Sequence, residues 1–167
     1  MTLTSSEAAW CWAMPDEGTV AELASVFAAC VETPVVIYLQ GDLGAGKTTF
    51  ARAYVHALGF EGYVKSPSYG LLETYAAGGQ KVLHLDLYRI EDPEELEYLA
   101  LRDLFDHETA LMVEWPERGM NYLPPPDLVL EFGENDEVRF IRCRVCTPSG
   151  LGLAEKVAKA SANAVSS

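Results

Sequence analysis

The sequence predicts an α/β fold: a mostly parallel central sheet, flanked by helices, with antiparallel hairpin additions. The runs "PVVIYLQ" (34–40) and "ALMVEW" (110–115) are unbroken apolar and β-branched stretches, the composition of strands buried on both faces. Segments with helical spacing stand between strand-like runs. Two pairs of strand-like runs flank short turn clusters, "GGQ" at 78–80 and the acidic "GENDE" at 133–137, as antiparallel hairpins do.

The elements follow in order. "EAAWCWA" (7–13) suits a short edge strand. "PDEGTVAELASVFAACVE" gives a helix capped by Asp16, with Val20, Leu23, Ala24 and Phe27 at helical spacing. After "PVVIYLQ" and a Gly-rich loop, "KTTFARAYVHALGF" is a second helix, closed by Gly59. "SYGLLETYAA" and "KVLHLDLYRI" pair as a hairpin about "GGQ". "DPEELEYLALRDLF" reads as one helix with Pro93 in its first turn. "ALMVEW" is a buried strand, and "DLVLEFGENDEVRFIRCRVCT" a second hairpin. Residues 1–147 form one domain in this reading, and 148–167 a small-residue-rich tail containing a short helix.

At 167 residues the chain can bury about two thirds of its unfolded surface in a single core. Its net charge of −13 comes largely from "EDPEELE", "DHE" and "GENDE", runs that suit solvated faces. A protein that grips nucleic acid unaided shows a basic stripe; here the one basic cluster is Arg139, Arg142 and Arg144. If RNA is involved, another protein must hold it. Of the four cysteines, Cys143 and Cys146 form one CxxC within a strand-like run, where positions i and i+3 face opposite ways, and no second ligand pair exists for zinc. Packed, reduced cysteines are expected. No leader pattern and no run of about 18 apolar residues is present, so the expected location is the cytoplasm, with no membrane partner.

The chemistry centres on GDLGAGKTTF (41–50), where Gly41, Gly44, Gly46, Lys47 and Thr48 fill G-x-x-x-x-G-K-[ST]. The glycines let backbone N–H groups turn inward around a β-phosphate where a Cβ would interfere. Lys47 reaches the β- and γ-oxygens, Thr48 offers a hydroxyl to Mg²⁺, and the helix beginning here adds its positive end. Ala45 and Thr49 complete the nucleotide-binding stretch. The strand before and the helix after define the context of a P-loop NTPase, with a nucleotide and Mg²⁺ as its cofactors. Such a site needs a carboxylate at a neighbouring strand tip. Two qualify. In "KVLHLDLYR", alternation sets Leu83, Leu85 and Leu87 on one face and His84, Asp86 and Tyr88 on the other. An active-site strand or a solvent-facing edge strand would both give that pattern. Glu114 ends "ALMVEW", where an unpaired buried carboxylate would be costly, so a cation partner is expected.

Other readings of the loop fare less well. "GGQ" resembles the signature of transporter-type ATPases, but Asp86 follows Gln80 by only six positions, too few for the helix that signature needs. A small-metabolite kinase needs positive charge to neutralise the transferred phosphate. Between Ile90 and Val138 the only arginines or lysines are Arg102 and Arg118, in different segments. The kinase and a non-hydrolysing nucleotide-dependent interaction module remain as alternatives.

Four motifs in series, GDLGAGKTT, "VKSPSYGL" (64–71), "HLDLYR" (84–89) and "VEWPE" (113–117), resemble the TsaE (YjeE) family over roughly residues 14 to 147. That resemblance implies an ATPase of bacterial tRNA threonylcarbamoyladenosine biosynthesis that binds ATP and Mg²⁺ and works on the TsaB–TsaD heterodimer, meeting tRNA only through those partners. It implies that Ser66–Tyr69 is a switch segment whose Ser68, a Thr in most of the family, acts at the γ-phosphate. It assigns Asp86 to the acid of an HxDxYR motif and Glu114 to the magnesium carboxylate beside Thr48. Catalytic work would fall to Lys47, Asp86, Glu114 and Ser68, and Met14 and Glu17 would approach the adenine. ATP over GTP rests on the resemblance, since no NKxD-like guanine reader is present.

Overall fold

A computed structural model describes residues 9–65, 71–161 and 165–166. One eight-stranded sheet organises them, in the order β3-β4-β5-β2-β6-β7-β1-β8. The strands are β1 (Ala9–Ala13), β2 (Val35–Gly41), β3 (Leu72–Ala77), β4 (Gln80–Asp86), β5 (Thr109–Glu114), β6 (Leu128–Asn135), β7 (Val138–Val145) and β8 (Val165–Ser166). The central four, β4-β5-β2-β6, run parallel, and antiparallel strands extend both sides. This is the mixed sheet the sequence predicts. Residues Val35–Leu39 and all six of β5 are buried, which is why neither run alternates with polar residues.

Three longer helices cover one face: α1 (Glu17–Cys30), α2 (Lys47–Ala57) and α4 (Pro148–Ala160). Asp16 caps α1 through a capping box with Thr19, its side chain accepting from the Thr19 N–H at 2.8 Å. Under these helices lies a core of Phe27, Phe50, Tyr54, Ile37, Leu39, Met112 and Leu128, with Phe27 and Phe50 edge to face at 5.5 Å between centroids. The opposite face buries Leu83, Leu85, Leu87, Leu111 and Val113 beneath the segment that carries Leu96 and Leu101. The leucine stripe of β4 thus packs one core, while His84 and Asp86 face the α2 side. β4 is an interior strand with both acid-face residues buried, and the solvent-facing alternative for it falls away.

The segment read as one helix over "DPEELEYLALRDLF" is not one. A 3-10 helix spans Pro93–Leu99, Ala100 turns left-handed at φ 50°, and the four-residue α3 (Leu101–Leu104) follows. Every residue there tolerates an α-helix, so local propensity gives no warning. The break serves the packing of Leu96 and Leu101, both of which must reach the leucine face. Pro93 and the Asp92 cap do stand at the start.

In the 148–167 segment, α4 buries Leu153, Ala154 and Val157 in the α1-side core, and β8 pairs with β1, which therefore has a neighbour on each side. The cysteines are free, and burial pushes the Cys143 thiol up to about 12. Cys143 and Cys146 belong to opposite cores, as their spacing on a strand requires. Among the described residues no helix is long and apolar enough to cross a membrane.

Candidate functional site

The site forms where three adjacent parallel strands end. β2 ends at Gly41, β4 at Asp86 and β5 at Glu114, and the register sets Asp86 directly opposite Glu114. Carboxyl ends of parallel strands are where open α/β sheets bind ligands. Here they surround a cavity of about 390 Å³ that runs from Asp86 and Glu114, along Gly44–Thr49, to a wall of Met14, Val20, Phe132, Phe140 and Ile141.

The loop between β2 and α2 needs its glycines. Gly44 and Gly46 lie at φ 82° and 110°, and Gly46 precedes the first turn of α2. Gly41, also at positive φ, has a further reason: a Cβ would stand 2.5 Å from the carbonyl oxygen of Phe132 on the neighbouring strand. Lys47 is buried, donates to the carbonyls of Gly41 and Asp42, and holds its ammonium 3.8 Å from the centroid of the Trp115 ring. Desolvation lowers its pKa, against the opposing pull of the charges on Glu114, Glu117, Asp86 and Asp42. Trp115 reaches this position through a left-handed backbone at φ 56°, a conformation costly for a bulky residue and typical of functional sites. Its ring also packs against Tyr88 at 5.1 Å, and the Arg118 guanidinium lies 5.1 Å from Tyr88 and 5.5 Å from Trp115.

Glu114 is 2% exposed and fully engaged. The Thr48 hydroxyl lies 2.9 and 3.0 Å from its two carboxylate oxygens, and His84 Nε2 lies 2.6 Å from Oε2. Asp86 accepts from the Tyr88 N–H at 3.0 Å through Oδ1. Where the sequence predicts a cation partner for Glu114, the side chains that hold it are the Thr48 hydroxyl and the His84 imidazole, with the Lys47 charge nearby. Among the described residues no group of three or more His, Cys, Asp or Glu could hold a metal by itself. Mg²⁺ keeps waters and binds through one or two protein oxygens plus phosphate. The hydroxyl and carboxylate that meet here are the hard donors such an ion takes.

Of the residues singled out in the sequence, Met14, Glu17, Gly44, Ala45, Gly46, Lys47, Thr48, Thr49, Asp86 and Glu114 all line the one cavity. Gly41 supports the loop from below. Ser68, with the rest of Ser66–Gly70, lies outside the described residues. Sequence reasoning placed Met14 here but missed the rest of the far wall. Phe132 and Ile141 are paired across the β6–β7 hairpin, and strand register alone could have placed them together. It also grouped three arginines that the sheet separates. Arg142 and Arg144 pair with Glu131, whereas Arg139 lines the cavity and, among the described residues, is the only cation there besides Lys47.

A Gly-rich loop between a buried parallel strand and a helix, with carboxylates at adjacent strand tips, defines a nucleotide-binding protein of the P-loop class. Its family is equally plain. The profile of the family described as "Threonylcarbamoyl adenosine biosynthesis protein TsaE" matches residues 14–141, and the chain belongs to that family. It is 40% identical over 145 residues to the tRNA threonylcarbamoyladenosine biosynthesis protein TsaE of Haemophilus influenzae, covering 84% of this chain and 92% of that one. The Aquifex aeolicus protein of the same name is 37% identical, over 70% and 80% of the two chains, and that of Bacillus subtilis 36%, over 69% and 73%. Among solved structures, Bacillus subtilis YdiB superposes with a TM-score of 0.77 at 25% identity, covering 91% of this chain and 95% of that one.

Proposed function

We propose that this chain is an ATP-binding and ATP-hydrolysing switch subunit for tRNA threonylcarbamoyladenosine modification, acting in the cytoplasm on the TsaB–TsaD heterodimer. The observation that carries the reading is the contact of the Thr48 hydroxyl with the Glu114 carboxylate, beside Lys47 and Asp86 at the mouth of the Gly-rich loop. Thr48 and Glu114 would hold Mg²⁺, which when bound neutralises charge on the transferring phosphate. Lys47 leaves the Trp115 ring to meet the β- and γ-phosphates, trading a cation–π contact for charge-assisted hydrogen bonds. Asp86, one strand over from Glu114, orients the attacking water. Met14, Val20, Phe132 and Ile141 form an apolar end for the base, with Glu17 at its rim.

The charge of the chain supports an indirect route to tRNA. A net −13 repels a polyanion, and two of the three clustered arginines are already paired with Glu131. The test is phosphate release by the purified protein without an acceptor, alone and with TsaB and TsaD, alongside tRNA mobility shifts at physiological salt. Slow release that the heterodimer accelerates, with weak tRNA binding, is the expected result. ADP formed only when a small-molecule acceptor is added, with the phosphoryl group on that acceptor and not free, would mark a kinase, and no turnover under any condition a non-hydrolysing module.

A further inference from the structure

His84 is the one buried residue of the site that the proposed chemistry leaves without a task. It is 1% exposed on β4, two residues before Asp86, and its Nε2 lies 2.6 Å from Glu114 Oε2 on the neighbouring strand. Its other ring nitrogen, Nδ1, is buried with no hydrogen-bond partner among the described residues. A core histidine kept only for packing would be a poor choice here, because Leu or Met fills the same space without an orphaned polar atom. The orphan also fixes the ring's proton. A proton on Nδ1 would be enclosed with no acceptor among the described residues, and a bare Nε2 would set one lone pair against another at 2.6 Å. The proton sits on Nε2, and His84 donates to Glu114.

Glu114 is thereby held from two sides. The Thr48 hydroxyl spans both its oxygens, and His84 anchors Oε2. A glutamate at a strand tip has three side-chain torsions between its backbone and its acceptor oxygens. One donor from α2 fixes its distance from the loop but leaves its rotation open; a second donor from β4 closes it. We infer that His84 is a positioning residue for the magnesium carboxylate: it orients Glu114 so that its oxygens and the Thr48 hydroxyl present one preformed half-shell to the ion. The inference rests on the reading of this site as an ATP–Mg²⁺ site. It assigns His84 no contact with nucleotide and no proton transfer. Partners of this kind typically govern metal affinity by 10–100-fold.

The test separates donor geometry from bulk. Gln presents its amide near the Nε2 position, Asn carries the same amide one methylene short, and Phe keeps the ring without a donor. ATP affinity is measured by calorimetry across a Mg²⁺ series and again in excess chelator, with the thermal midpoint of each ligand-free protein. His84→Asn and His84→Phe are expected to need roughly 10–100-fold more Mg²⁺ for half of the metal-dependent gain in affinity. His84→Gln should return close to the parent's requirement, and metal-free ATP affinity should be alike in all four. A parent-like Mg²⁺ requirement in His84→Asn overturns the inference, as does an equal loss of metal-free binding, which marks a merely structural role. If the parent itself gains no affinity from Mg²⁺, the site reading fails, and the inference falls with it.

Discussion

Lys47 carries the clearest single-residue prediction. Its ammonium is stored on carbonyl oxygens and the Trp115 ring inside the cavity, so its removal costs the fold little and the ligand much. Charge-assisted hydrogen bonds contribute about 1.5–3 kcal/mol each. Lys47→Ala is therefore expected to weaken binding of a non-hydrolysable ATP analogue by roughly 100-fold or more, read by calorimetric titration. Glu114→Ala acts differently. It should depress magnesium-dependent hydrolysis far more than metal-free binding, as single-turnover assays with and without chelator will show. It should also lower stability by about 1–3 kcal/mol, because the buried His84 donor is left unpaired. Most of this site was legible in the residues themselves, since a phosphate cradle demands glycines, a lysine and a hydroxyl at fixed spacing. The His84–Glu114 contact was not. It joins positions thirty apart through a strand register that no local pattern encodes.

Elements were legible where their chemistry is local. Asp16 announces α1, the Gly-rich loop announces α2, and Gly78 and Gly79, both at positive φ, close the β3–β4 turn where "GGQ" predicts it. The segment 93–104 misled because helix formers there are overruled by where leucines must go. The start of α4 shows how tightly such junctions are tied. Thr147 caps the helix, accepting from the Gly150 N–H at 3.0 Å, and donates to Asp127 Oδ1 at 2.6 Å. Asp127 Oδ2 in turn accepts from the Val36 N–H at the start of β2. A Cβ on Gly150 would fall 2.1 Å from the Asp127 carbonyl oxygen, a backbone atom that cannot step aside. Gly150→Ala should thus lift α4 from the sheet and cost about 1–3 kcal/mol, measured by urea unfolding, with no direct touch on the nucleotide cavity.

For the whole molecule the buried titratable groups set an alkaline limit. Burial pushes the Cys143 thiol from 9.0 up to about 12 and the Tyr38 hydroxyl from 10.0 up to about 12. Tyr54 is raised as well, despite its hydrogen bond to Gln80. Each group keeps its proton in the native state at a pH where the unfolded chain has lost it. Stability from these groups is thus complete below pH 9 and falls as pH rises, first through Cys143 and then through the tyrosines. The slope is up to about 1.4 kcal/mol per pH unit for each group engaged. Chemical denaturation between pH 8 and 11 should show a midpoint that declines from pH 9 onward. Cys143→Ala should make the decline between pH 9 and 10 shallower without abolishing it, because burial also raises the Cys30 and Cys146 thiols.

Gly41 makes the fold and the ligand compete for one reading in any mutational scan of the loop. The first glycine of the motif would be scored as a binding residue, yet a Cβ there meets the backbone of β6, while at Gly44 it meets nothing within 4 Å. Abundance and nucleotide affinity, recorded for the same library, should part at these two positions. Substitutions at Gly41 should deplete the soluble protein itself. Those at Gly44, strained only in their own backbone, should leave a populated protein that binds poorly. A loop usually treated as one functional word is, on this sheet, spelled partly by the architecture beneath it.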